Sequence, residues 1–444
     1  MRAVDRFRPG INMMKRWILL AIAGIISSSF GIFLGIQEKH LEFTKGIPSA
    51  VLVVVGCVVI YISVRNIAGV FYAAVTNYGF KKISHDADRL NNMLYEKRML
   101  INGPKIVAIG GGTGLSTMLR GLKLYSSNIT AIVTVADDGG GSGMLRQDLG
   151  MLPPGDIRNC ILALANTEPI MQQLLQYRFK EGMLKGQNFG NLFLAAMDGI
   201  SSSFVEAVRK MSDVLAVTGK VLPVTLDDVR LCAELEDGYV VSGESNIGRH
   251  NTFHKGRIKR VFLDAQSARP LQDALDAIME ADVIVLGPGS LYTSVIPNLL
   301  IDGVCEHIKK SKAVKVYVCN VMTQPGETEG YSVFDHIEAI EKHSCEGIID
   351  YCIVNTSDIP EELKKKYADD GAETVKIDYD LIEKAGIKVI SGEFARVRDS
   401  YVRHDSKKIA ETIIDLVAET VLAKDKKRII DYYYAKDRVR KLKG

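Results

Sequence analysis

Between residues 105 and 146 a short apolar run, Lys105 to Ile109, ends directly in Gly110, Gly111, Gly112 and Gly114, and a helical pattern follows with Leu115, Leu119 and Leu122 on one face. That order leaves little freedom. The run reads as a buried strand, and the glycines must turn the chain at once into the helix. Such a junction aims backbone N–H groups and the positive end of a helix at whatever lies beyond, which suits an anion. Glycines there also remove the side chains that would hold a phosphate away.

Ile129 to Ala136 is a second such run, with Asp137 and Asp138 at its carboxyl end and the cluster Gly139 to Gly143, including Ser142, behind it. In an open α/β sheet ligands sit beyond the carboxyl ends of the strands, so both features fall where a nucleotide or nucleotide-sugar would bind. Adjacent residues on an extended strand face opposite ways, so the two aspartates need not act together. Ala281 to Leu286 forms a third strand, leading into Gly287, Pro288, Gly289 and Ser290, then Thr293 and Ser294. Their hydroxyls can bond phosphate or sugar oxygens, while Ser290 is equally placed to cap the next helix. Val314 to Cys319 and Tyr351 to Val354 are further strands, the first opening into the polar loop Asn320 to Thr328.

Pro153 to Asp156 reads as a helix start, and the chain up to about Leu215 as mainly helical. It holds the loop Gly186 to Asn191, which serves a ligand or forms a capped turn. Thr218 to Glu280 reads as short strands with a turn at Gly243 to Ile247. The expected fold is α/β, an open, mostly parallel sheet with a helical insertion.

A two-helix transmembrane hairpin is expected ahead of it. Trp17 to Ile36 and Ile47 to Val64 carry no charge, and the first is the length of one membrane crossing. A second span so close behind argues against a signal peptide. Arg2, Arg6, Arg8, Lys15 and Arg16 precede the first run and Arg65, Lys81, Lys82 and Arg89 follow the second, which favours both ends, and the soluble domain, on the cytoplasmic side. The expected divisions are 1–65, hairpin with a short basic N-terminus; 66–104, connector; 105–422, nucleotide-binding domain; and 423–444, basic tail. The tail interleaves cations with Tyr432 to Tyr434 and suits solvent or anionic lipid. A formal net charge of +3 argues against a dedicated nucleic-acid binder. Seven dispersed cysteines without a C-x-x-C pair read as buried free thiols in a reducing compartment.

Taken together, GGGTGLS, ADDGGGSG, LPPGDIRN, GNLFLAAM, LGPGSLYTSVIPNLL, CNVMTQPGET and RHDSKK, in this order, resemble the YvcK family of gluconeogenesis factors, a branch of the CofD-like superfamily. The likeness covers about Lys105 to Leu422. It implies a Rossmann-like fold and binding of UDP-sugars, notably UDP-N-acetylglucosamine, with roles in gluconeogenic growth, wall-precursor supply and cell shape. It further implies nucleotide contacts from Gly111, Gly112, Thr113, Gly114, Gly287, Gly289 and Ser290, and a UDP-sugar contact from Arg403. Asp137 or Asp138 matches the acidic position that meets a divalent metal such as Mg²⁺ in the CofD transferases. Ser142, Asn188, Asn191 and Thr293 complete the candidate ligand set, and no catalytic acid, base or nucleophile is assigned. The rival reading is a metal-dependent transferase using a nucleotide-activated phospho-donor. An NAD-dependent oxidoreductase, with Asp137 on the ribose, fits less well, because a glycine cluster follows that residue. Expected partners are the nucleotide ligand, the membrane through residues 17–64, proteins of cell-wall regulation and a second copy of the chain.

Overall fold

The computed structural model describes residues 11–37, 47–75, 98–249, 254, 256–265, 267–398 and 400–421, with 432, 433, 436, 437 and 439 beyond them. The basic N-terminus, most of the loop between the apolar runs, most of the connector and most of the basic tail lie outside the described residues. The chain divides into two compact units, Met1–Met99 and Leu100–Gly444.

In the first unit, helices Ile11–Gln37 and Ile47–Val75 pack antiparallel. Small residues make the approach possible. A methyl on Gly24 would stand 2.9 Å from the Gly56 carbonyl oxygen, and one on Gly31 2.8 Å from that of Ser49. Ser27 Oγ donates to the Leu52 carbonyl across the pair at 3.2 Å. Arg16–Leu34 and Ser49–Ala68 are long and apolar enough to cross a membrane, with mean hydropathy 2.2 each. Ile18, Ile25, Phe33, Val54 and Tyr61 point outward. A pair of helices buried in a soluble core would cover such side chains.

In the second unit the strands of the main sheet are β1 Ile106–Gly110, β2 Ile129–Val133, β3 Lys220–Pro223, β7 Val283–Leu286, β8 Val314–Val318, β9 Tyr351–Asn355 and β10 Lys388–Gly392. Leu231–Leu235, Val240–Ser242 and Ile258–Leu263 (β4, β5 and β6) make a small antiparallel sheet between β3 and β7. Ala395–Arg398 and Tyr401–His404 (β11 and β12) make an antiparallel hairpin.

The main sheet has the order β10-β9-β8-β7-β1-β2-β3, and every adjacent pair is parallel. Near-continuous apolar strands are what a sheet covered on both faces requires, and β1 and β7 are buried at every residue. The chain runs outward from β1 through β2 to β3, then returns to β7 on the other side of β1 and continues outward to β10. The direction of winding therefore reverses between β1 and β7, and a crevice opens there at the carboxyl edge.

The expected helical insertion lies between β2 and β3 as helices Gly140–Leu149, Pro154–Leu164, Pro169–Gln176, Phe189–Gly199 and Phe204–Val214. Two local expectations need correction. Gly243 to Ile247 contains a short helix, Glu244–Ile247, because an aspartate beyond β2 accepts the Ser245 N–H in its first turn. Cys305 and Cys345 form a disulfide with Cα atoms 6.4 Å apart, so not all cysteines are free; Cys57 is free but exposed. Their separation of 40 residues hides the pairing, which arises where helix Val304–Lys310 meets the chain after helix Val333–Lys342.

Helix Gly112–Leu122 packs on the C-terminal helix Ser406–Thr420 through Gly121, where an added methyl would lie 2.0 Å from the Ser406 carbonyl oxygen. Alanine improves helix propensity by up to about 1 kcal/mol, but overpacking a closed helix contact costs about 1–3 kcal/mol. Gly121→Ala is expected to lower stability despite the gain in propensity, measured by denaturant unfolding of the second unit's signal.

Candidate functional site

The crevice at the β1/β7 reversal is a cleft of about 550 Å³. Its walls are Gly111 to Gly114 after β1, Pro288 to Ser290 after β7, Asn320 to Pro325 after β8, Tyr367 and Asp370, and Tyr401 to His404 on the hairpin. Every strand supplying a main loop ends at this edge, so the loops converge because the strands are parallel.

The glycines answer specific local demands. Gly112 has φ +62° and opens the helix from the left-handed region, where a side chain is strained. A methyl on Gly111 would lie 2.6 Å from an Asp156 carboxylate oxygen, and one on Gly114 only 2.4 Å from the Pro288 carbonyl oxygen. The two loops therefore touch backbone to backbone. Gly287 continues the pairing, donating its N–H to the Ile109 carbonyl at 2.9 Å with φ +75°. Asn298 fastens the junction from below, its amide donating to the carbonyls of Gly110 at 3.2 Å and Ser294 at 2.8 Å. The helix cap is Gly111, which carries no side chain of its own.

Ser290 does not cap the following turn. Its hydroxyl donates 2.7 Å to Gln324 Oε1, joining the β7 and β8 loops, and Asn320 donates to the Gly289 carbonyl at 2.9 Å. Gln324 also donates through Nε2 to Glu327 Oε1, and Thr293, buried beneath the cleft wall, donates to the same oxygen at 3.3 Å. Among the described residues, the other oxygen of Glu327 is buried with no hydrogen-bond partner.

The two aspartates lie in the loop beyond β2 and take different partners. Asp138 accepts the Ser245 N–H at 2.9 Å and so anchors the helix Glu244–Ile247. Asp137 accepts the Gly139 N–H at 2.9 Å and the Ser142 hydroxyl. It belongs to a carboxylate cluster with Asp156 and Glu244. Asp156 reaches from helix Pro154–Leu164 to accept the Gly112 N–H. Loss of water and then the Asp137 charge push Asp156 up to about 7. Burial, followed by Asp137 and Asp156, pushes Glu244 up to about 8. Burial likewise pushes Glu327 up to about 7, and Asp137 is raised for the same leading reason. At the far end of this cluster Arg158 is buried, donating through Nε to Asn191 Oδ1 at 3.1 Å.

Of the residues expected from sequence, Gly111, Gly112, Thr113, Gly114, Gly289, Ser290 and Arg403 line the cleft. Asp137, Asp138 and Ser142 stand behind the β1 loop. Asn188 caps helix Phe189–Gly199 by accepting the Asn191 N–H at 3.2 Å, and Asn191 holds Arg158; both are buried in these internal roles. Asp156, Glu244 and Glu327 were not anticipated. Asp156 was legible only as a helix-start residue, Glu244 opens a short helix of its own, and Glu327 sits in the loop after β8. Among the described residues, no three His, Cys, Asp or Glu side chains gather to hold a metal ion.

The model for 2-phospho-L-lactate transferase CofD matches residues 106–395. A relative from Clostridium acetobutylicum is 52% identical over 441 residues, 99% of this chain and 97% of that protein. The gluconeogenesis factor of Bacillus subtilis is 50% identical over 317 residues, 71% of this chain and 99% of its own. A Bacillus halodurans crystal structure, described as a UPF0052 family member, aligns with TM-score 0.67 and 50% identity over 69% of this chain and 98% of that one. The chain belongs to the CofD family, in its gluconeogenesis-factor branch.

Gly114→Ala must separate the β1 and β7 loops, so it is expected to weaken anion binding in the cleft about tenfold or more with a smaller change in melting temperature. Calorimetry and thermal unfolding of one preparation would measure both. Raised carboxyl pKa values mean that the native state holds more protons than the unfolded chain between about pH 4 and 8, so these groups lose stability as pH rises through that window. Glu244→Gln should therefore raise the melting temperature more at pH 8.5 than at pH 5, and an equal effect at both would refute the coupling.

Proposed function

We propose that this CofD-family chain binds a UDP-sugar, UDP-N-acetylglucosamine in particular, in the β1/β7 cleft and acts as a regulatory factor. It would link gluconeogenic growth to wall-precursor supply and cell shape. The observation that carries the reading is the placement of Arg403 on the cleft wall with the helix start at Gly112 and the Ser290 loop. A guanidinium stays charged at any relevant pH and grips phosphate through a fork of donors, while glycine amides and a helix start receive the same anion. Tyr401, beside Arg403, offers an aromatic face, and Ser290, Asn320 and Gln324 offer polar groups for a sugar.

The membrane reading is part of the proposal. Both apolar helices would cross the bilayer as a hairpin, with the nucleotide-binding unit on the cytoplasmic side, in keeping with the cations flanking the spans. Proteins of the wall-building machinery and a second copy of the chain are the partners such an anchor would bring within reach.

A second reading, a CofD-like transferase, draws on the family name and on the Asp137, Asp156 and Glu244 cluster, whose raised pKa values are of the kind found in active sites. Calorimetric titration of the full chain in detergent with UDP-N-acetylglucosamine, GTP and NAD, with and without Mg²⁺, separates the two. The regulatory reading expects UDP-sugar binding that Arg403→Ala weakens by about tenfold to a hundredfold, with the ligand recovered unchanged. Binding confined to GTP with Mg²⁺, or consumption of a ligand, would replace it with the transferase.

A further inference from the structure

β11 and β12 pair antiparallel with Arg396 directly opposite Arg403. Residues opposite one another in such a ladder lie on the same face, with Cβ atoms about 5 Å apart, and like charges in those positions repel. The neighbouring pair, Val397 and Val402, lies on the other face, where Val402 packs on Val321 and Ile359. Arg396 and Arg403 are both exposed, and among the described residues neither has an ion-pair partner. The cationic character extends to Tyr401, whose ring has Lys366 Nζ at 4.3 Å and Arg403 Cζ at 5.4 Å from its centroid. A short hairpin gains nothing for its own stability from two facing guanidiniums. An anion that spans both would turn the repulsion into attraction.

We infer that Arg396 is the second half of the phosphate grip, acting with Arg403 on a pyrophosphate linkage and so selecting a nucleoside diphosphate-sugar over a nucleoside monophosphate. This deepens the UDP-sugar reading and rests on it. A single phosphate is held by Arg403 and the glycine loop alone, whereas a diphosphate spreads its charge over two groups and meets both arginines. Arg396 is thus a specificity-determining residue reached through the strand register, since its place in the sequence lies seven positions before Arg403.

The test is calorimetry on the full chain in detergent, comparing the parent with Arg396→Ala, Arg396→Lys and Arg403→Ala. The probes are UDP-N-acetylglucosamine, UMP, inorganic pyrophosphate and inorganic phosphate. Arg396→Ala is expected to lose about tenfold or more for the two diphosphate probes but less than about twofold for UMP and phosphate. Arg396→Lys should recover part of the loss, because it restores the charge without the fork. The melting temperature of ligand-free Arg396→Ala should be no lower than the parent's, which separates a lost grip from a lost fold. Diphosphate binding by Arg396→Ala within about twofold of the parent would overturn the inference while leaving a UDP-sugar site intact. If the parent binds pyrophosphate through Arg396 but no UDP-sugar, the UDP-sugar reading falls and the two-arginine grip stands. A parent that binds pyrophosphate no tighter than phosphate overturns the grip by itself.

Discussion

The carboxyl edge of the sheet depends on how closely two stretches of backbone can lie. β1 and β7 are neighbours, and each must release its chain without obstructing the other. Gly114 against the Pro288 carbonyl is the tightest point of that junction, and a single methyl would not fit. Because the gap is closed there, the helix beginning at Gly112 stands beside the β7 loop, and Ser290 reaches Gln324 of the β8 loop. The cleft is therefore a property of three strand ends held together. Glycine in this setting serves the protein's own packing as well as access for a ligand.

Strands β1, β2, β7, β8 and β9 were legible because they are near-continuous apolar runs, each ending in glycine or a polar loop, whereas the partly exposed edge strand β10 carries no such run. That signal is local and needs no knowledge of neighbours. The helical insertion was legible for similar reasons, with Pro154 and Asp156 opening one helix and the Asn188 turn opening another. Side-chain direction was less accessible. Asn188 and Asn191 look like ligand groups in the sequence, yet a cap and a buried arginine occupy them. Glu244 and Glu327 reach the acidic cluster through loops more than a hundred residues after Asp137, and no periodicity marks that meeting. The Cys305–Cys345 bond escaped notice because only packing brings its helices together.

Family membership and site chemistry constrain function to different degrees. The short Bacillus relatives match about seven-tenths of this chain at nearly their full length, while the Clostridium protein matches almost all of it. The family thus includes proteins of two lengths, and the CofD-family body is common to both matches. Two compact units within the chain agree with that modularity. The carboxylate cluster reaches the glycine loop through Asp156, which lies beside Gly111 and Gly112.

The hydrogen bond from the Gly112 amide to Asp156 has a consequence for the energetics of recognition. Asp156 is an internal carboxyl group seated at the mouth of the helix. It holds the glycine turn through a bond made within the protein. Ordering a flexible loop around a ligand would cost binding free energy for every residue fixed, and a loop already ordered by the fold avoids that loss. The turn is in this sense ordered in advance, with its conformational entropy surrendered during folding.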